Sequence, residues 1–127
     1  MKIYVAGKWE ERDNITIFMN ALRKQGHTIT CDWTDHKYDT REVMSSFALD
    51  DLEGVRTCDA YIGVFENQCR YRGALVEMGA ALVLRKDVFI IGHAEDSCIF
   101  MLCPTVWHFR DMRDCLDYFS QKEVNHD

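Results

Sequence analysis

Residues 60–92 read AYIGVFENQCRYRGALVEMGAALVLRKDVFIIG, and this stretch decides the fold. Ala60–Phe65 and Asp87–Gly92 are short runs rich in apolar residues, the pattern of strands buried on both faces. Between them lie an irregular loop, Glu66–Arg72, and a helical segment, Gly73–Leu84. Two buried strands joined through a helix imply a parallel pair, because parallel strands need a long crossover connection. Glu77 is the only charged residue from Gly73 to Leu84. A helix apolar almost all round is expected to be buried, and an ionised carboxylate is costly to bury without partners. An acid in that setting is therefore expected for its chemistry. Its place near the helix start favours negative charge, as a nucleophile or a stabiliser of a cation requires.

The same alternation continues in both directions. Lys2–Ala6 is expected as the first strand, followed by the loop Gly7–Glu11. Asp13 is the expected N-cap of a helix with Ile15, Phe18, Met19 and Leu22 inward, stopping before Gly26. His27–Trp33 alternates like a strand, Thr34–Asp39 is a polar loop, and Thr40–Arg56 is a second helix. Thr105–Phe109 reads as the last strand and Asp111–Gln121 as an amphipathic helix facing inward with Met112, Cys115, Leu116 and Phe119. The expectation is a small doubly wound α/β domain spanning residues 1–127. Its sheet is parallel, with about five strands, and is flavodoxin- or Rossmann-like, with strand order 2-1-3-4-5. In that order the ligand crevice opens at the carboxyl ends of the first and third strands. Gly7–Trp9, Glu66–Arg72 and the start of the Glu77 helix are then expected to build it.

Whole-chain properties narrow the function. A net charge of −6 and a pI near 5.3 argue against a nucleic-acid surface, which is usually basic. No apolar run approaches the roughly 20 residues of a membrane span. The opening MKIYVAGKWEE is too soon charged for a signal peptide and reads as a strand. Cys31, Cys58, Cys69, Cys98, Cys103 and Cys115 are scattered without zinc-type spacing, so they are expected to be reduced, mostly core thiols of a cytoplasmic protein without a metal site. The loop AGKWEERDN lacks the GxGxxG of dinucleotide binding, which leaves no implied cofactor.

A second acid is out of place. On the Thr40–Arg56 helix the expected inward stripe is Met44, Phe47, Ala48, Leu52 and Val55, and Asp51 falls within it, whereas Asp50 and Glu53 point elsewhere. Two carboxyl groups converging on one pocket suggest an ionised nucleophile beside a proton donor, the logic of glycosidic-bond chemistry. Tyr4 in the first strand lies where its hydroxyl can orient a carboxylate. Trp9 is a candidate stacking wall for a planar base. Lys8, Arg12 and Arg72 are the nearest basic groups, solvated by default but suited to a phosphate.

These residues together resemble the nucleoside 2-deoxyribosyltransferase family, with its related N-glycosidases of (deoxy)nucleoside monophosphates. The resemblance is carried by Tyr4-Val5-Ala6-Gly7, by Asp51-Leu52-Glu53-Gly54-Val55 and by Gly73-Ala74-Leu75-Val76-Glu77-Met78-Gly79-Ala80-Ala81. The tail GHAEDSCIFMLCPTVWHF is similar to that of some members. The resemblance implies that Glu77 attacks the anomeric carbon, that Asp51 handles the base or its proton, and that Tyr4 holds the glutamate. It further implies that Gly73 and Gly79 let the helix pack closely against sugar and sheet. A nucleoside or nucleotide is the implied substrate, bound also by Gly7, Lys8, Trp9, Arg72 and Gly73. A homodimer or larger oligomer is implied, with Ser97–Cys103 buried at its interface. Two departures keep hydrolysis open beside transfer. Tyr71 and Arg72 stand where transferases often carry an aspartate, and the chain stops soon after its last helix. A non-catalytic nucleotide-binding module on the same fold is the further alternative.

Overall fold

The structure, a computed structural model, describes residues 1–67, 71–92 and 98–122. It is built from β1 (Lys2–Ala6), α1 (Arg12–Lys24), β2 (Thr28–Ile29), α2 (Arg41–Thr57), β3 (Ala60–Phe65), α3 (Arg72–Val83), β4 (Asp87–Gly92), β5 (Val106–Phe109) and α4 (Met112–Ser120). The five strands form one all-parallel sheet in the order β2-β1-β3-β4-β5, the flavodoxin-like order expected from sequence. Helices α1 and α4 pack together, and α2 packs beside α3. Such pairing covers both faces of the sheet, as right-handed crossovers require.

The strand ranges of β1, β3 and β4 agree with the sequence expectation, because all three are apolar runs in the sheet interior. Ile3 to Ala6, Ala60 to Val64 and Val88 to Ile91 are buried and form the central core. The edges differ more. β2 is only two residues long, not His27–Trp33. Asp32 accepts a hydrogen bond from the Thr34 amide at 3.1 Å and caps a 3₁₀ turn, Trp33–Asp35, that ends the extended chain. That turn swings the Trp33 ring inward, where its Nε1 donates to the Val5 carbonyl at 2.7 Å.

Two helix expectations also change. Asp13 does not cap α1. The helix begins at Arg12 after a 3₁₀ turn at Trp9–Glu11, which leaves Asp13 in the first turn. α1 does stop before Gly26, whose φ of +94° suits glycine. On α2, Thr40 caps the start by accepting from the Val43 amide, but Met44, Ala48 and Leu52 are exposed rather than inward. The contact face of this helix runs through Phe47, Asp51, Gly54 and Val55, and only the last two are fully buried.

Helix α3 is not buried all round. Ala74, Met78 and Ala81 face the core, whereas Val76 is 67% and Val83 83% exposed. Its other apolar face has no cover among the described residues, so apolarity here does not report burial. Cys58 and Cys115 are buried, Cys31, Cys98 and Cys103 are half-buried, and Cys69 and Ser97 lie outside the described residues. No helix among the described residues is long and apolar enough to cross a membrane.

Candidate active site

β1 and α3 bring the two key groups together. The Tyr4 hydroxyl donates to Glu77 Oε2 at 2.8 Å, across 73 residues of sequence. Both side chains line a small pocket of about 90 Å³, below the ~300–1,000 Å³ usual for small-molecule sites. Asp51 lines the same pocket from α2. The remaining walls are Gly7, Trp9, Trp33, Tyr38 and the helix start at Gly73 and Ala74.

Each wall has a local cause. Tyr61 on β3 stacks near-parallel to Tyr4, centroids 6.2 Å apart, and its hydroxyl donates to the Ala74 carbonyl at 2.6 Å. That bond ties the first turn of α3 to the sheet and fixes where Glu77 emerges. On the other side α2 lies close to β1 at Gly54. A Cβ there would stand 2.7 Å from Cys31 Cβ and 2.9 Å from Tyr4 Cδ1. Glycine is thus what lets α2 approach near enough for Asp51, one turn earlier, to reach the pocket. Glu11 accepts from the Tyr71 hydroxyl at 3.1 Å and from the Asn67 amide group, linking the segment after β1 to the chain before α3.

The sequence profile of nucleoside 2-deoxyribosyltransferases matches residues 3–118. This chain belongs to the nucleoside 2-deoxyribosyltransferase family. Solved structures share its fold. The 2-deoxyribosyltransferase of Bacillus psychrosaccharolyticus superposes with a TM-score of 0.77 at 22% identity, covering 93% of this chain and 92% of that one. The CMP N-glycosidase of Clostridium botulinum gives 0.66 at 14% identity over 96% and 100%. The deoxyribosyltransferase of Leishmania mexicana gives 0.65 at 17% over 97% and 99%. No curated protein matches the sequence significantly. At these identities the likeness is one of fold, and it includes both deoxyribosyltransferases and an N-glycosidase.

Within this deoxyribosyltransferase-family site, burial sets the charge states. It pushes the Glu77 carboxyl up to about 7, with Asp51 adding to the rise and the Tyr4 hydrogen bond opposing it. Glu77 sits in the second turn of α3, past the free amides of the first turn that were expected to hold its charge. Burial raises Asp51 too, while a hydrogen bond from Cys31 and the nearby His36 work against the rise. Burial and the two carboxylates hold the Tyr4 hydroxyl firmly protonated, so it acts as a donor to Glu77.

The structure does not bring every sequence candidate into the pocket. Lys8 and Arg72 do not line it, although their neighbours Gly7, Trp9 and Gly73 do. The Lys8 ammonium instead lies 5.4 Å from the Tyr71 ring centre, and Arg72 is exposed at the head of α3. Trp9 is half-buried rather than exposed. The Arg12 guanidinium covers one of its faces at 4.3 Å, and Tyr38 meets it edge-on at 5.1 Å. Gly73 and Gly79 meet no atom within 4 Å of a built Cβ, so neither is there for contact with the sheet. Gly73 leaves pocket space, and Gly79 faces outward.

None of Glu66–Arg72 lines the pocket among the described residues; the 33–38 segment takes that place. Trp33 and Tyr38 are the residues the sequence reading missed. Trp33 was hidden by its assignment to a strand end. Tyr38 carried a signal, an aromatic side chain in an otherwise polar loop.

Proposed function

We propose that this chain is a nucleoside 2-deoxyribosyltransferase acting through a glutamate nucleophile, Glu77. The observation that carries it is the 2.8 Å bond from Tyr4 to Glu77 inside a pocket that also holds Asp51. The aromatic walls Trp9, Trp33 and Tyr38 suit a planar base. One oxygen of Glu77 is held by Tyr4, which leaves the other to attack the anomeric carbon. As the C1′–N bond breaks, the base departs with its pair of electrons and takes a proton from Asp51. A second base then attacks C1′, returns a proton to Asp51 and frees Glu77. The positive charge developing on the sugar is stabilised by the glutamate throughout.

This division of roles needs an ionised Glu77 and a protonated Asp51. In the free pocket burial raises both carboxyl groups, Glu77 to about 7, so the pair holds a proton below that pH. Binding a sugar whose anomeric carbon gains positive charge favours the ionised glutamate, and transfer of the proton to Asp51 completes the acid–nucleophile pair.

Incubation with a deoxynucleoside, with and without a second free base, tests the reaction. Exchange of bases is the expected result, and loss of turnover in Glu77→Gln with the fold intact is expected beside it. Base release without exchange would assign the hydrolytic alternative, which Tyr71 and Arg72 in place of an acidic residue favour. A rise in melting temperature with nucleotide, but no base release from any nucleoside or nucleotide, would reduce the protein to a binding module.

We also propose a homo-oligomer. Exposed apolar side chains are concentrated on the neighbouring helices α2 (Met44, Leu49, Leu52) and α3 (Val76, Val83), and on Ile99, Phe100 and Leu102. Exposed apolar side chains on two neighbouring helices support an interaction surface there.

A further inference from the structure

Behind Asp51 lie two side chains that the proposed reaction does not use. Cys31 Sγ donates to Asp51 Oδ1 at 3.4 Å, and His36 Nδ1 lies 3.9 Å from the same oxygen. The ligand atoms of the three residues all lie within 4.8 Å of one another. His36 is 9% exposed, and its ring is stacked flat on Phe47 at 4.0 Å, which fixes its orientation. Its Nδ1 is nevertheless buried without a hydrogen-bond partner. Leaving such a buried atom unsatisfied is unfavourable, so its direction needs a reason.

The spacing supplies one. Two ligands about 2.0–2.3 Å from a tetrahedral ion stand roughly 3.3–3.8 Å apart. The 3.4 Å separation falls within that range and the 3.9 Å one just outside it, and a small closure around His36 brings the three atoms together. A sulfur, an imidazole nitrogen and a carboxylate oxygen select zinc-like ions over magnesium or calcium. None of the three is exposed, unlike the acidic clusters common on protein surfaces. No linear spacing announces the cluster, because its members come from the segment after β2, from the residue that follows the 3₁₀ turn and from α2.

We propose that Cys31, His36 and Asp51 form a site for a divalent transition-metal ion of the zinc class, and that its occupation inhibits turnover by withdrawing Asp51 from the substrate. The metal displaces the thiol proton: the S–H bond breaks, a sulfur–metal bond forms and one proton leaves to solvent. Three protein ligands leave a fourth position for water. The inhibitory half rests on the role given to Asp51 above; the binding half does not.

Chelator-treated full-length protein titrated with Co²⁺ provides the test. One equivalent is expected to produce a thiolate-to-cobalt charge-transfer absorption, which Zn²⁺ then abolishes. The band is expected in wild type, in Glu77→Gln, in Cys98→Ser and in Cys103→Ser. It is expected to vanish in Cys31→Ser and to need at least tenfold more metal in His36→Ala. Melting temperatures without metal verify that each variant is folded, and the rise caused by Zn²⁺ is expected to disappear in Cys31→Ser. No band at one equivalent, or a full band in Cys31→Ser, overturns the site. Since absorbance needs no substrate, failure of the proposed reaction leaves that result readable. Turnover unaffected by saturating Zn²⁺ overturns the inhibitory half alone.

Discussion

Replacing Glu77 by glutamine is expected to stabilise the protein at alkaline pH while abolishing turnover. Burial raises this carboxyl from 4.5 to about 7, so the folded state holds the proton more tightly than the unfolded chain does. The associated stability is fully present below pH 4.5 and is lost as pH rises through about 7. At about 1.4 kcal/mol per pH unit the whole effect is roughly 3 kcal/mol. About 2.5 kcal/mol of it falls between pH 5 and pH 8, and water at the pocket mouth trims this towards about 2. Glutamine has nothing to titrate, and its amide oxygen still accepts from Tyr4. Urea denaturation of wild type and Glu77→Gln at pH 5 and pH 8 measures the difference. The variant is expected to gain about 2 kcal/mol on wild type over that interval, or about 7 °C in melting temperature for a chain of this size. If the two proteins change stability in parallel from pH 5 to pH 8, Glu77 is not a carboxyl strained by burial, and the argument for its stored charge fails.

Three further outcomes follow from the same geometry. The alkaline limb of kcat/KM is expected to fall tenfold per pH unit above about 7, because the carboxyl pair then loses the one proton that the reaction shifts from Glu77 to Asp51; a flat profile from pH 6 to pH 9 would exclude Glu77 as that group. Gly54→Ala is expected to cost about 1–3 kcal/mol and to lower turnover, since its methyl group meets Cys31 and the Tyr4 ring at under 3 Å. Unchanged melting temperature and activity would show that α2 has room to spare. Leu49→Lys combined with Val76→Glu is expected to shift the protein to a smaller species in analytical ultracentrifugation; an unchanged mass would place the oligomer contact elsewhere.

What could be read from the sequence, and what could not, divides along physical lines. Strands β1, β3 and β4 were legible because interior parallel strands are buried on both faces, so a bare apolar run suffices to mark them. The edge strand β2 was overestimated because alternation from His27 to Trp33 carries no information about Asp32, whose side chain caps a turn and ends the strand. Helix α3 was overread for the opposite reason: Val76 and Val83 are apolar, yet nothing among the described residues covers them. Apolar pattern reports what a surface avoids, not which molecule will cover it. The pair Tyr4 and Glu77 was legible because an isolated charge in an apolar segment is costly enough to stand out. Cys31 and His36 were not, since each is ordinary in its own segment and acquires meaning only when α2 folds across β1. Gly54 joins the two cases. In sequence it is one small residue in a loose motif; in the fold it is the contact that sets α2 against Tyr4, and therefore the spacing of Asp51 from both Glu77 and Cys31. The reaction proposed for the pocket and the metal site proposed behind it thus depend on one helix approach, and both should move together when Gly54 acquires a side chain.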